Sequence, residues 1–150
     1  MTGVWSSVPK RAKAGEPAEA SFFQERLWFM EKLSPGSCAF NMLNGFMIAG
    51  SLDRELVERS IHEIVRRHES LRTNLVFSEG KVLQQVSQPS PKVFEAVDLT
   101  RLPKERKLEE ADRMATALAR RPYDLAADPL FRTVLFELGG GKHLLAALSH

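Results

Sequence analysis

The residues best suited to chemistry in this 150-residue sequence are its four histidines and its single cysteine. A neutral imidazole can accept a proton near pH 7, and a thiolate can act as a nucleophile or a metal ligand. The histidines are His62, His68, His143 and His150, and the cysteine is Cys38. One cysteine forms no internal disulfide and no cysteine metal cluster. We therefore interpret it as a structural or loop thiol in a reducing, cytoplasmic compartment.

The spacing of these residues excludes two common sites. His62-Glu63 lacks the second histidine of the zinc motif H-E-x-x-H, so no metal site is predicted. The glycines at 139–141 lie between two strand patterns and not at a helix start, which indicates a hairpin turn and not a phosphate cradle. By spacing alone, His68 is a buried histidine on an apolar helix stripe, and His150 is a terminal histidine with no special role.

The composition argues against a nucleic-acid-binding protein and against a membrane-spanning one. Lys and Arg number 21 against 19 Asp and Glu, a net charge of +2, and hydrophobic residues make up 43%. The charges are interspersed, no basic stripe alternates with aromatics, and no apolar run approaches the ~20 residues that span a bilayer. A globular domain that binds neither nucleic acid nor membrane is expected. Residues 1–20 are predicted to be a leader or linker, with a short edge strand at 4–8 as the alternative.

Three amphipathic helices are predicted around these residues. Ser21 followed by Gln24 has the capping-box form, in which the serine oxygen accepts a backbone N–H and the glutamine reaches back. The helix that starts there should bury an apolar face, and Asp53 should cap a second helix with a clear apolar stripe. Pro103 suits the first turn of a third helix, which ends before Pro122. The predicted buried face of the first helix consists of Phe23, Leu27, Met30 and Leu33.

Six strand patterns separate these helices. Residues 41–50 are apolar on both alternating faces, which indicates a strand covered on both sides. Residues 131–138 alternate as a half-buried strand, and residues 143–150 are almost wholly apolar, as expected of a central strand. The other patterns lie at 73–77, 81–87 and 92–97. This order predicts an α/β chain, an α+β two-layer sandwich with helices packed on a mixed sheet.

Three ordered segments resemble the core motifs of the condensation domains of nonribosomal peptide synthetases. Residues 21–28, SFFQERLW, resemble S-x-A-Q-x-R-L-W, with Phe23 where the family has alanine. Residues 67–73, RHESLRT, resemble R-H-E-x-L-R-T, and Leu75 then stands where the family usually has phenylalanine. Residues 122–132, PYDLAADPLFR, resemble P-F-D-L-x-x-x-P-L-x-R. Three motifs in this order are far more specific than any one of them.

The third core motif of the family, H-H-x-x-x-D-G, follows an apolar strand similar to residues 144–148. The resemblance implies that His150 is the first histidine of this pair, followed by the more directly catalytic second one. Alternatively, Ser149 replaces the first histidine and His150 is the second. Either way His150 is the candidate catalytic residue. The aspartate of this motif is structural in the family and pairs with an arginine, so Arg67 and Arg72 are candidates for active-site support.

The resemblance also implies a chloramphenicol-acetyltransferase-like fold, made of two similar lobes with a tunnel between them. Residues 21–150 would form most of the N-terminal lobe, without the C-terminal lobe. Donor and acceptor carrier proteins would deliver acyl groups on phosphopantetheine arms, and no cofactor would bind directly. The acceptor amine would attack the donor thioester to form an amide, a step of secondary metabolism such as antibiotic biosynthesis.

Two other functions fit the same residues. A different acyltransferase of this fold would take its acyl group from coenzyme A or a carrier, and a non-catalytic domain would serve as a docking platform for carrier proteins. Because the aspartate and glycine of the third motif are not in the sequence, we expect the chain alone to be inactive. We also expect the strand at 144–148 to lack partners and to expose an apolar edge.

Overall fold

The computed structural model describes residues 17–150, which form two β-sheets with three α-helices. The helices are α1 (Phe22–Leu33), α2 (Arg54–Arg67) and α3 (Lys104–Ala119). The strands are β1 (Ala18–Glu19), β2 (Met42–Ala49), β3 (Thr73–Ser78), β4 (Lys81–Val86), β5 (Phe94–Asp98), β6 (Phe131–Gly139) and β7 (Lys142–Ser149). The alternative strand at 4–8 lies outside the described residues, as does most of the predicted leader. Among the described residues, no helix has the length and apolar content needed to cross a bilayer.

The two sheets differ in their pairing. The smaller sheet is antiparallel, with the strand order β1-β4-β3. The larger sheet is mixed, with the order β2-β7-β6-β5, and its parallel pair is β5 and β6. A parallel pair needs a long crossover, and α3 supplies it. Helices on a mixed sheet are thus confirmed.

The predicted helix starts are confirmed. The Ser21 side chain accepts a hydrogen bond from the backbone N–H of Gln24 at 3.3 Å, and the Gln24 side chain accepts one from the backbone N–H of Ser21 at 2.8 Å. Asp53 accepts a hydrogen bond from the backbone N–H of Leu56 at 3.1 Å. Both caps satisfy donors that the first helical turn leaves without partners.

The main core lies between α3 and the larger sheet. Ala111 and Ala115 of α3 pack against Val134, Phe136 and Leu148 of the central strands. The prediction that β6 is half-buried is wrong, because neighbouring residues that point to opposite faces, such as Leu135 and Phe136, are both fully buried. A strand between two others, covered on both faces, buries both sets of side chains.

The prediction that the strand at 41–50 is covered on both sides is also wrong. Met42, Phe46 and Met47 are 55–57% exposed. Strand β2 forms one edge of the larger sheet and pairs only with β7, and the described helices leave most of both of its faces open. We call the exposed apolar side chains of this strand the β2 edge. They are Met42, Leu43, Phe46 and Met47.

The predicted buried face of α1 is largely exposed. Phe23 and Leu33 are 65% and 62% exposed, and Met30 is also exposed, while Leu27 is half-buried. The one buried residue of α1 is the charged Glu31. Helix α1 is apolar on more than one side, so the spacing of its apolar residues does not identify the side that packs.

Strand β7 lies inside the sheet and not at its edge. It pairs with β2 along one side and with β6 along the other. The prediction of a central strand is therefore confirmed, and the prediction that this strand lacks partners is wrong. The strands of this sheet that have a single neighbour are β2 and β5, at its two edges.

Candidate active site

His150 lies directly after β7, at the place where the two sheets meet. Its backbone N–H donates a hydrogen bond to the carbonyl of Leu130 at 3.1 Å, so the segment before β6 holds the end of the strand. Side chains alternate along β7, which places the imidazole on the same face as the buried Ala146 and Leu148. The histidine is thereby fixed to a rigid element.

Two aromatic rings surround the half-buried imidazole. The ring of Tyr123 lies 5.6 Å from the imidazole, centroid to centroid, and the ring of Phe40 lies 6.4 Å away in an edge-on arrangement. Tyr123 is itself buried, which raises the pKa of its phenol. The site is therefore apolar on these two sides.

Asn41 makes the polar contact to the ring. The Nδ1 atom of His150 lies 2.8 Å from the Oδ1 atom of Asn41. The Nδ2 atom of the same amide donates hydrogen bonds to the carbonyls of Ala119 at 2.7 Å and of Arg121 at 2.9 Å. These carbonyls belong to the C-terminal end of α3, where a helix leaves acceptors without partners. Asn41 thus connects the imidazole to that helix end.

Burial keeps the imidazole neutral. Loss of solvent around His150 lowers its pKa from the ordinary 6.5, and the negative charge of Glu31 on α1 acts in the opposite direction. Glu31 is itself only 9% exposed. Because the pKa is lowered, the neutral form predominates near pH 7.

A cavity of about 300 Å³ opens beside the ring. His150 and Ser149 line it from the end of β7, Gln24 and Leu27 line it from α1, and Met42 lines it from β2. The Nε2 atom of His150 is buried, and no described residue provides it with a hydrogen-bond partner. The arrangement thus combines a neutral imidazole, a ring nitrogen without a partner and a cavity beside the residue. A neutral imidazole nitrogen of this kind can accept a hydrogen bond or a proton.

The residues at 122–132 form the support behind the ring. The guanidinium of Arg132 lies 5.0 Å from the centroid of the Tyr123 ring and 2.9 Å from a carboxylate oxygen of Asp128. Asp128 also accepts a hydrogen bond from the backbone N–H of Asp124 at 3.0 Å. These contacts fix the position of Tyr123, so this segment acts on the site through packing.

Residues of the first segment make mainly structural contacts. The ring of Trp28 stacks on the ring of Phe77 at 5.0 Å, and the Gln24 amide donates to the Gln84 side chain at 3.2 Å as well as closing the helix cap. Arg26 is exposed. Gln24 also lines the cavity, together with Leu27 of the same segment.

Arg67 and Arg72 lie in different surroundings from His150. The side chain of Arg67 is 68% exposed and donates to Glu63 of the same helix at 2.6 Å. Hydrogen bonds from Arg66 and then from Arg67 lower the pKa of the Glu63 carboxyl to about 2. The side chain of Arg72 is only 18% exposed and donates to the carbonyl of Ser87 at 2.7 Å. Within residues 17–150, neither arginine bonds to the imidazole.

The remaining candidates are not at this site. His68 is exposed and ends α2, so the prediction of a buried histidine is wrong, because the apolar stripe of the helix stops one turn earlier at Val65. Cys38 is an exposed loop thiol. Across residues 17–150, no group of three histidine, cysteine or carboxylate side chains is placed to hold a metal ion.

Sequence reasoning missed three of the residues that shape the site. They are Asn41, Glu31 and Tyr123. Only Tyr123 carried a signal, since it lies in one of the recognised segments. A polar residue directly before an apolar strand, such as Asn41, is a weak signal by itself, because turn residues commonly occupy that position.

The sequence is similar to known synthetases over most of its length. The protein-family model described as "Condensation domain" matches residues 16–150 of this chain. A linear gramicidin synthase of Brevibacillus parabrevis is 36% identical over 118 residues, 79% of this chain and 2% of that protein. The dimodular nonribosomal peptide synthase of Bacillus subtilis is 34% identical over 94% of this chain and 6% of that protein. The chain thus spans only a small part of these relatives.

Solved structures resemble the fold closely. The starter condensation domain of the rhizomide synthetase RzmA superposes with a TM-score of 0.83 at 20% identity, over 90% of this chain and 32% of that one. The first condensation domain of the calcium-dependent antibiotic synthetase, in complex with substrate analogue 2a, gives a TM-score of 0.81 at 24% identity, again over 90% and 32%. The predicted chloramphenicol-acetyltransferase-like fold is confirmed.

Proposed function

The chain belongs to the condensation-domain family of nonribosomal peptide synthetases, and on that premise we propose that it contributes to an active site that forms amide bonds. The substrates would be acyl and aminoacyl thioesters on the phosphopantetheine arms of donor and acceptor carrier proteins. The observation that carries this proposal is the neutral, half-buried imidazole of His150 beside a cavity. Its setting suits a reaction whose nucleophile is an uncharged amine.

The chemistry requires positioning and control of one proton. The acceptor amine attacks the thioester carbonyl, the C–N bond forms and the C–S bond breaks, and the amine proton leaves as the thiol departs. Holding two tethered reactants together supplies much of the rate enhancement. A neutral ring nitrogen near the amine can accept or orient that proton, whereas a protonated one cannot.

We place His150 as the first histidine of the third core motif. Its contacts to Asn41, Tyr123 and Phe40 are those of a positioning residue. In this assignment a second histidine would follow it directly, and alternation along the strand would turn that side chain to the opposite face. In the other assignment, with Ser149 as the first residue of the pair, His150 itself handles the amine proton.

The two arginines are proposed to support the site unequally. Arg72 is largely buried, and one of its guanidinium nitrogens, Nε, has no hydrogen-bond partner among the described residues. A buried guanidinium with a free donor suits the structural aspartate of the third motif, because an ion pair satisfies both groups. Arg67 already bonds to Glu63 and is exposed, so its support would act through α2.

Residues 21–150 are proposed to form the N-terminal lobe of a two-lobed domain, with β1 as an extension of it. The carrier arms would enter the tunnel between the lobes from opposite ends, and the lobe would bind no cofactor itself. The 150-residue chain alone is then expected to be inactive. The product belongs to secondary metabolism, as in antibiotic biosynthesis.

The test uses the longer synthetase with two loaded carrier proteins and detection of the amide product by mass spectrometry. His150→Gln should lower the rate by up to about 100-fold, because small displacements in such sites have that effect. His68→Gln, which replaces the exposed histidine, should leave the rate unchanged. Full activity of His150→Gln, or amide formation by residues 1–150 alone, would overturn the proposal.

The same assay distinguishes the two alternative functions. Acyl transfer from coenzyme A alone would indicate a different acyltransferase, and carrier-protein binding without any product would indicate a docking domain.

A further inference from the structure

The orientation of the Asn41 amide is determined by its surroundings. Two carbonyl oxygens, of Ala119 and Arg121, lie 2.7 and 2.9 Å from one of its terminal atoms. Carbonyl oxygens only accept hydrogen bonds, so this atom must be the NH₂ group, which has two N–H donors. With the amide reversed, three oxygens would face one another without a proton. The atom that faces His150 is therefore the oxygen, Oδ1.

An amide oxygen also only accepts. The His150 Nδ1 atom, 2.8 Å from it, must therefore carry a proton. In a neutral imidazole only one ring nitrogen is protonated, so the other nitrogen, Nε2, holds a lone pair. That atom is buried and has no hydrogen-bond partner among the described residues.

We propose that Asn41 is a positioning residue that holds His150 in the Nδ1–H tautomer and so makes Nε2 the hydrogen-bond acceptor of the ring. The same amide fixes the ring to the C-terminal end of α3, because its two donors satisfy the helix-end carbonyls. Any group that hydrogen-bonds to Nε2 must then bring an N–H or O–H donor. The proton on Nδ1 follows from these contacts, the lone pair on Nε2 follows from the neutral state of the buried ring, and the value of this tautomer for amide formation rests on the proposed function.

The test reads the tautomer directly. Two-bond ¹H–¹⁵N correlations on the ¹⁵N-labelled chain distinguish a protonated from an unprotonated ring nitrogen, and His150→Gln identifies the signals of this ring. We expect Nδ1 of His150 to be the protonated nitrogen. A protonated Nε2 with a bare Nδ1 would overturn the proposal, whatever the variants show.

Variants then test whether Asn41 is responsible. Asn41→Ala removes the acceptor, so the Nδ1–H form should give way to the Nε2–H form, which free imidazoles favour. Asn41→Asp keeps an oxygen acceptor and should keep the Nδ1–H form, although it loses both donors to α3. Asn44→Ala, at an exposed position on β2 three residues after Asn41, is the matched control and should change nothing. An unchanged tautomer in Asn41→Ala would overturn the assignment. Since no substrate is present, these results do not depend on catalytic activity.

Discussion

The imidazole of His150 is subject to two opposing effects, and burial is the larger of them. Removing solvent disfavours the charged form, while the carboxylate of Glu31 favours it. The result is a histidine that resists protonation in the folded chain. This property suits a hydrogen-bond acceptor, and it also makes the folded state sensitive to acid.

The lowered pKa of His150 predicts the direction of that sensitivity. As the pH falls below 6.5, the unfolded chain binds a proton that the folded chain disfavours, so the free energy of unfolding decreases with falling pH. The stability that His150 contributes is present above its unfolded pKa and is lost below it. When the pH is lowered from about 7 to about 5, the free energy of unfolding should therefore decrease less for His150→Gln than for the original chain.

Urea unfolding at several pH values measures this difference. His68→Gln serves as the control, because it replaces an exposed histidine. Parallel stability curves for His150→Gln and the original chain would contradict the prediction.

Asn74 of β3 connects the smaller sheet to the segment that holds His150. The side chain is 5% exposed. Its amide donates to the carbonyls of Leu125 at 3.2 Å and Asp128 at 2.8 Å, and its oxygen accepts from the hydroxyl of Ser87 at 2.7 Å. One side chain thus satisfies three polar groups in a region with little solvent.

Asn74→Ala is expected to destabilise the chain by about 1–3 kcal/mol, because it removes three hydrogen bonds, of which only the one to Leu125 leaves its acceptor with another donor, the backbone N–H of Leu75 at 2.9 Å. Asn44→Ala, at an exposed position, should change stability by less than about 0.5 kcal/mol. Urea midpoints measure both effects. Equal stability of the two variants would show that the contacts of Asn74 contribute nothing.

Local and distant interactions differ in how well they can be predicted from the sequence. The starts of α1 and α2 are predictable, since a cap needs only residues three positions apart. The exposure of α1 and β2 cannot be predicted in this way, because burial depends on which elements pack against them. The apolar spacing in β2 correctly indicates a strand but does not show that it lies at an edge.

In the candidate active site, too, local features can be predicted from the sequence and distant contacts cannot. The position of His150 after an apolar strand is visible in the sequence. Its partner Asn41 lies 109 positions away, and no local pattern connects the two. Arg67 and Arg72 stand at the arginine positions of a family motif. In the structure, however, Arg67 bonds to Glu63 of its own helix, and Arg72 bonds to Ser87, directly after β4.

At the scale of the whole molecule, the described residues leave large apolar side chains open to solvent. The β2 edge and the outer side of α1 carry most of them, including Phe22 at 83% exposed. An edge strand with one unpaired side and apolar side chains on both faces readily pairs with another chain. Patches of this kind are uncommon on monomeric proteins.

We therefore predict that residues 1–150 self-associate through the β2 edge. Replacing Phe46 and Met47 by lysine should reduce association, because charge on an edge strand opposes pairing. Leu108→Lys replaces an exposed leucine on α3 and serves as the control. Light scattering over a concentration series measures the effect. A monomer at all concentrations, or an equal effect of Leu108→Lys, would contradict the prediction.

The register of β2 against β7 also bears on how the polypeptide is made. Met42 pairs with Ser149 and Ala49 with Lys142, so β2 leaves the ribosome about 100 residues before its partner. At ordinary elongation rates this delay is about 5–20 s. The β6–β7 hairpin closes through local contacts, and β2 can join it only afterwards. During translation, the apolar side chains of this segment therefore wait without their partner strand until β7 has been made.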